Sequence, residues 1–181
     1  NYLSKVSSWN TTTGQAIATR AARYEASRMI SVDDTIVVGN SGDASLTLFY
    51  SGTNTGVTVK VGTAAEDVLL TPDGKRALVL NRLGGSQLIE FRLETGESRL
   101  IDTASLKAPW PVRMFLNATR DHLYILSHFE SKLVVLSLSD LKYIGDISFG
   151  LPNSTSDTLS AMAADISGTL LVALLCEQGR V

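Results

Sequence analysis

Residues 87–92 read Gln-Leu-Ile-Glu-Phe-Arg, and three other stretches of the chain can be laid over them. They are Lys-Val-Ser-Ser-Trp-Asn at 5–10, Ser-Leu-Thr-Leu-Phe-Tyr at 45–50 and Lys-Leu-Val-Val-Leu-Ser at 132–137. The bulky residue near the end of each stretch recurs in steps of 40, 42 and 45 residues, at Trp9, Phe49, Phe91 and Leu136. The chain is therefore a repeat whose period is the length of one supersecondary unit.

A period of about 40–45 residues built from short strands is typical of a β-propeller, in which each repeat forms one blade. The second repeat contains four β-rich runs, 28–32, 35–40, 44–49 and 56–61, separated by polar turns. In the third repeat, Pro72-Asp73-Gly74 forms a tight-turn sequence, because proline presets φ and glycine accepts positive φ. The sequence predicts an all-β propeller of four-stranded antiparallel blades.

The two ends of the chain each match half a blade. We expect a single propeller segment with whole blades at 26–61, 65–102 and 111–149 and half blades at 1–22 and 159–181. Most propellers have more blades than this, so the pattern favours a piece of a larger propeller. The alternatives are a four-bladed ring closed by its own two halves, and assembly with other chains. Because a cut propeller exposes strand edges, we expect residues 1–181 alone not to form a stable monomer.

Composition narrows the possible partners. The net charge is −2 and the Lys and Arg residues are scattered, so the chain lacks the basic stripe that nucleic-acid binding needs. The longest apolar run, 170–176, is much shorter than the roughly 20 residues of a membrane span. Cys176 is the one cysteine, which excludes an internal disulfide and a Cys-x-x-Cys-His haem attachment within this segment. The Asn-x-Ser/Thr triplets at Asn10, Asn117 and Asn153 would be glycosylated only in a secretory context that the sequence does not reveal.

Residues 37–48 resemble the Tyr-Val-Thr-Asn repeat of YVTN-type propellers. They read Val-Val-Gly-Asn-Ser-Gly-Asp-Ala-Ser-Leu-Thr-Leu, a strand ending in Asn, a Ser-Gly-Asp turn and a returning strand. Residues 65–81 look like the matching start of such a blade. The resemblance covers the whole chain as a fold signal, and it weakens at 127–130 and 174–176, where the Asn is absent. WD-repeat propellers are the nearest rival, but their Gly-His and Trp-Asp marks are missing here.

The resemblance implies several possible functions. The superfamily that shares this repeat pattern includes bacterial and archaeal surface proteins, propeller subunits of quinone-dependent amine dehydrogenases, the d1-haem domain of nitrite reductase, and lactonases. The repeat residues are structural in all of them, so the resemblance assigns no catalytic residue to this chain.

The best candidate binding residues stand at one position of the repeat, just before or at the start of each first strand. Arg28, Asp67, Arg113 and Ala161 are equivalent there. In a propeller these loops approach the central channel. The two arginines could hold an anionic group with Asp67 orienting them, or the charges could simply pair and fill the channel mouth.

Two residues outside this position are also candidates for the channel mouth or a partner. His128 lies in a loop between second and third strands, where it could equally be a loop-packing residue. Trp110 lies between two prolines and is a candidate anchor for a partner, or a plug between blades. The acidic residues Asp33, Asp34, Asp73 and Asp121 recur at one turn, where Asx hydrogen bonding explains them. The sequence predicts no catalytic residue, no metal site and no cofactor.

The predicted function is that of a non-catalytic interaction or scaffold module that binds a protein or carbohydrate partner through its loops. The first alternative is a propeller domain or subunit of a periplasmic redox enzyme, of the quinone- or haem-dependent dehydrogenase type. The second is a lactonase-like hydrolase, so the sequence leaves open whether the protein is an enzyme. A periplasmic or extracellular location is favoured, with the cytoplasm still open.

Overall fold

The computed structural model describes residues 3–50, 56–62, 64–81, 87–101, 111–127 and 132–148, together with the backbone of 157–164 and 171–177. For Leu3 and Tyr24 it describes the backbone alone. The contacts divide the chain into two compact units, residues 1–79 with 89–99, and residues 80–88 with 100–181. No helix in the described part of the chain has the length and apolar character needed to cross a membrane.

The first sheet is an antiparallel hairpin of β1 (Leu3–Trp9) and β2 (Ala16–Tyr24). Strand β2 runs to Tyr24, two residues beyond the predicted end of the half blade at residue 22. The reason is that the chain reverses at a single residue, Glu25, whose φ is 51°, so that the next strand starts at once.

Three four-stranded antiparallel sheets follow, and in each one the strands lie side by side in chain order. The first contains β3 (Ala26–Val32), β4 (Thr35–Asn40), β5 (Ser45–Tyr50) and β6 (Val57–Lys60). The second contains β7 (Asp67–Leu70), β8 (Arg76–Asn81), β9 (Gln87–Arg92) and β10 (Ser98–Ile101). The third contains β11 (Pro111–Leu116), β12 (His122–Ser127), β13 (Lys132–Ser137) and β14 (Tyr143–Ser148).

The last described sheet is again a two-stranded hairpin. It pairs β15 (Asp157–Ala164) with β16 (Leu171–Glu177) in antiparallel register. The predicted pattern of three whole blades flanked by two half blades is therefore the pattern of sheets in the structure.

The turn that joins third and fourth strands is the same in three of the sheets. The amide of Gly14 donates to the carbonyl of Asn10 at 2.8 Å, and Gly96 donates in the same way to Arg92 at 2.9 Å. Leu141 donates to Ser137 at 2.9 Å and takes a φ of 60°, close to the 70° and 74° of the two glycines. Trp9, Phe91 and Leu136 each immediately precede this turn, which confirms that they occupy one position of the repeat.

The turn between first and second strands also recurs. Thr71 accepts a hydrogen bond from Gly74 at 2.8 Å through its carbonyl, and Asn117 accepts one from Arg120 at 3.0 Å. Gly74 has a φ of 65° and Arg120 a φ of 57°. The left-handed conformation costs a residue with a Cβ about 1–2 kcal/mol. The turn at Arg120 is therefore more strained than the turn at Gly74.

Two apolar layers hold the first unit together. One lies between the sheets β3–β6 and β7–β10; its fully buried residues include Val37, Leu46, Ala77 and Phe91. The other lies between the hairpin β1–β2 and the sheet β3–β6, where Ala22 packs with residues on the opposite face of that sheet, Val38 and Phe49. Adjacent residues of β4 thus serve different layers, because successive side chains of a strand point to opposite faces.

Candidate interaction site

The first strand of a blade carries the same irregularity in three of the sheets. The register shifts between Ala26 and Arg28 in β3, between Pro111 and Arg113 in β11, and between Leu159 and Ala161 in β15. A β-bulge of this kind re-aims the side chain that follows it. Arg28, Arg113 and Ala161 each come directly after the shift, so these three share one structural position. Asp67, the fourth predicted member, is the first residue of β7.

Arg28 and Asp67 form an ion pair between neighbouring first strands, β3 and β7. The guanidinium Nε of Arg28 donates to Oδ1 of Asp67 at 2.9 Å. The side chain of Asp67 is 3% exposed, whereas that of Arg28 is 45% exposed. The buried carboxylate therefore fixes the orientation of a cation that still faces water. A guanidinium held through Nε keeps its terminal N–H groups as a fork suited to a carboxylate or a phosphate.

A close approach of backbone places Asp67 beside β3. A Cβ built on Gly39 would lie 2.7 Å from Cγ2 of Val68 and 2.9 Å from the carbonyl oxygen of Ala65, so the position accepts only glycine without movement. The hydroxyl of Ser27 donates to the same Ala65 carbonyl and, at 3.2 Å, to the Gly39 carbonyl. These contacts hold the segment before β7 against β3 and so bring Asp67 to Arg28.

Arg113 lies on β11, in the second unit. It is partly buried, and its Nη1 donates to the carbonyl of Val112 at 3.2 Å. The pairing of Arg28 with Asp67 is present. That Arg28 and Arg113 together hold an anionic group at a channel mouth stays a prediction. His128 and Trp110 lie outside the described residues.

Two of the four acidic turn residues, Asp73 and Asp121, bond within their own turns. Asp73 accepts from the backbone amide of Lys75 at 3.1 Å, which is the kind of bond that the Asx pattern predicted. The hydroxyl of Thr71 donates to Asp73 at 2.5 Å, and this hydrogen bond lowers the pKa of Asp73. In the equivalent turn, hydrogen bonds from Thr119 at 2.7 Å and from the Asn117 amide at 2.6 Å lower the pKa of Asp121 to about 2. These carboxylates are engaged in building the turns.

The structure also contains a charge cluster that the sequence analysis missed. Glu90, in the middle of β9, is 3% exposed and accepts from Nη1 of Arg76 at 2.9 Å and from Nε of Arg99 at 3.0 Å. Burial would raise the pKa of Glu90, but the hydrogen bond from Arg76 and the charges of both arginines hold it below its ordinary value of 4.5. The signal in the sequence that could have revealed this cluster was Glu90 itself, a charged residue between the apolar residues Ile89 and Phe91.

The Asn at the end of β4 is buried and hydrogen-bonded on both sides of its amide. Its Nδ2 donates to Oγ of Ser45 at 3.1 Å and to Oγ1 of Thr47 at 3.0 Å, and its Oδ1 accepts from the amide of Arg23 at 3.3 Å. Asn40 thus ties β2 to β4 and β5. Asn40 is the Asn that ends the strand in the stretch resembling the YVTN repeat. These hydrogen bonds explain why that position of the repeat carries an amide side chain.

Within the described ranges, no group of three or more His, Cys, Asp or Glu side chains is placed to hold a metal ion. The two almost fully buried carboxylates, Asp67 and Glu90, are paired with arginines, whereas Lys60 and Lys142 pair with the more exposed Asp43 and Asp140. The Arg28–Asp67 pair combines an anion that is 3% exposed with a half-exposed cation.

Solved structures of other proteins are similar to this arrangement of sheets. Hydrazine synthase from Kuenenia stuttgartiensis is similar with a TM-score of 0.78 and 14% identity, covering 92% of this chain and 48% of that chain. Hsv2 from Kluyveromyces marxianus gives a TM-score of 0.69 and 14% identity, over 98% of this chain and 54% of that one. Hsv2 from Kluyveromyces lactis gives 0.67 and 16%, over 92% and 51%.

These neighbours are β-propellers, so the predicted fold class is confirmed: three four-stranded antiparallel blades and two half blades. The chain spans about half the length of the structures that it matches. At 14–16% identity the likeness shows the fold and leaves the activity open. No protein-family model matches the chain, and no curated protein matches it in sequence.

Proposed function

We propose that the protein is a non-catalytic interaction module that binds acidic groups of a protein or carbohydrate partner at the start of its first strands. The observation that carries this proposal is the Arg28–Asp67 pair, an oriented and half-exposed guanidinium on a buried carboxylate. Preorganisation of this kind favours binding, because the side chain loses little freedom when the ligand arrives. Arg113, at the equivalent position of β11, would supply a second donor.

The redox and hydrolase alternatives receive less support from the described residues. The two most buried carboxylates, Asp67 and Glu90, are each held in an ion pair with arginine. The hydrogen bond from Arg76 and the charges of Arg76 and Arg99 lower the pKa of Glu90, which makes it a poor general base near neutral pH. Within the interaction class, the Val-Gly-Asn-Ser-Gly-Asp run at 38–43 supports a propeller of the YVTN type, and that resemblance supports a periplasmic or extracellular location.

Binding of labelled polyglutamate and of polygalacturonate, measured by fluorescence anisotropy at low salt, tests the proposal. We expect Arg28→Gln to weaken binding of at least one probe about tenfold, a loss of about 1.4 kcal/mol. Arg23→Gln is the matched control, because Arg23 is 51% exposed and its Nε bonds Asp43 at 2.8 Å. Binding should also fall with added salt, since the contact is exposed.

If both substitutions weakened probe binding equally, the binding would depend on general surface charge, and the proposal would be contradicted. Visible absorption of a bound cofactor in the protein purified from its native source would contradict the non-catalytic assignment and favour the redox alternative.

A further inference from the structure

Arg20 is a charged residue in an otherwise apolar layer. It is paired with Val6 across the hairpin β1–β2, on the face of the hairpin that packs against the sheet β3–β6. Its guanidinium carbon lies over the ring of Phe49, 5.8 Å from the ring centroid. Phe49 is 1% exposed and belongs to that layer together with Ala22 and Val38. The charge of Arg20 therefore lies between the hairpin and the neighbouring sheet.

The Nε–H group of Arg20 lacks an acceptor. Nε is buried, and none of the described atoms accepts a hydrogen bond from it. The face of a ring attracts a cation, but it does not replace an acceptor in the plane of the guanidinium. Other arginines of the first unit direct Nε to a carboxylate; these are Arg23, Arg28 and Arg99. Arg20 is thus oriented by Phe49 without the acceptor that those arginines have.

The hairpin that carries Arg20 is basic. Residues 3–24 contain Lys5, Arg20 and Arg23 and no Asp or Glu, although the chain as a whole has a net charge of −2. A segment with charges of one sign produces a potential that attracts the opposite sign. The hairpin therefore favours an anion as the missing partner of Arg20.

Solvent reaches the layer at the end nearest the turn of the hairpin. Ser8 and Ala18 form the next pair on the face that carries Arg20, because every second residue of a strand shares a face. Ser8 is exposed and Ala18 is partly exposed, whereas Ala22, on the other side of Arg20, is 2% exposed. A small ligand can thus approach Arg20 past two small side chains.

We propose that Arg20 binds an oxyanion, the carboxylate or phosphate group of a small ligand, at this open end of the layer. The Phe49 ring orients the guanidinium, and its in-plane N–H groups form a fork suited to two oxygens. The hydroxyl of Ser8 is a further donor on the same face of the hairpin. The site is independent of the Arg28–Asp67 pair, which joins β3 to β7 on the other side of the sheet β3–β6.

Thermal unfolding with inorganic phosphate or succinate at constant ionic strength tests the proposal. All proteins carry Arg28→Gln, so that the site on the first strands does not contribute. A probe present at about ten times its dissociation constant should raise the midpoint by about 3 °C. Arg20→Met should abolish this rise. Arg23→Met is the matched control and should keep it, because Arg23 lies on the same strand with its Nε held by Asp43 at 2.8 Å.

The two probes distinguish the source of the oxyanion. A rise with phosphate alone assigns the site to a phosphate-bearing ligand, and a rise with succinate alone assigns it to a carboxylate. A rise with both supports a general oxyanion site. Absence of a rise with either probe would overturn the proposal, and so would an equal rise in Arg20→Met, which would show a salt effect and an adventitious ion only.

Nitrogen-15 NMR of the arginine Nε–H groups gives a second readout that does not depend on the stability of a variant. The signal of Arg20 is the one that Arg20→Met lacks. We expect it to move with each addition of the active probe and to saturate, while the signal of Arg23 stays in place. An Arg20 signal that stays fixed while the midpoint rises would place the bound anion elsewhere and overturn the proposal, leaving the site at Arg28 unaffected.

Discussion

Phe91→Ala should destabilise the first unit by about 3–5 kcal/mol, the range for truncation of a fully buried aromatic side chain. Phe91 is 2% exposed in the layer between the sheets β3–β6 and β7–β10. Removing its ring leaves a cavity at a junction between blades, which the two rigid sheets can refill only in part. A loss of this size is a large share of the 5–15 kcal/mol that stabilises an ordinary domain.

Leu100→Ala is the control for that result, because Leu100 lies on the neighbouring strand β10 and is 57% exposed. It should cost less than about 0.5 kcal/mol, as exposed substitutions usually do. Urea unfolding followed by circular dichroism at several protein concentrations gives both values. Equal costs for the two substitutions would contradict the placement of Phe91 between blades.

Glu90→Gln should cost about 3 kcal/mol at neutral pH, the low end of the range for breaking a buried ion pair. The low end applies because Arg99 is 58% exposed and returns to water, whereas Arg76 is 20% exposed and loses its buried counter-charge. Glu97→Gln is the control: Glu97 is 71% exposed and lies 3.9 Å from Arg92, so its loss should cost less than about 1 kcal/mol.

The cost of Glu90→Gln should depend on pH with a definite sign. The pKa of Glu90 is lower in the folded protein than its ordinary value of 4.5, so the unfolded chain takes up the proton first. The stabilisation is complete above about pH 4.5 and is lost as the pH falls through the folded-state value. Wild type and Glu90→Gln should therefore converge in urea stability as the pH is lowered. A constant difference across that window would show that Glu90 acts through packing and not through charge.

The sequence predicted the blades because their determinants are local. The recurrence of Trp9, Phe91 and Leu136 is visible in the chain, and the structure places all three just before one kind of turn. Turn residues such as Asp73 were also predictable, since an Asx side chain bonds backbone a few residues away.

The contacts that build the candidate site depend on pairs far apart in the chain. The repeat indicated that Arg28 and Asp67 share a position, yet the distance between them is set by Gly39 and Ser27 against Ala65, which no local pattern encodes. Glu90 is a similar case, because the arginines that neutralise it stand on β8 and β10. A buried charge can be recognised only when its partners are known.

The proposed interaction site is tested most directly by the binding of labelled polyglutamate and polygalacturonate to the parent chain and to the Arg28→Gln and Arg23→Gln variants. Arg28→Gln should lower the affinity for at least one probe about tenfold, whereas Arg23→Gln should leave it close to that of the parent chain. Equal losses from the two substitutions would contradict the proposal, because binding would then depend on general surface charge and not on the oriented Arg28 guanidinium.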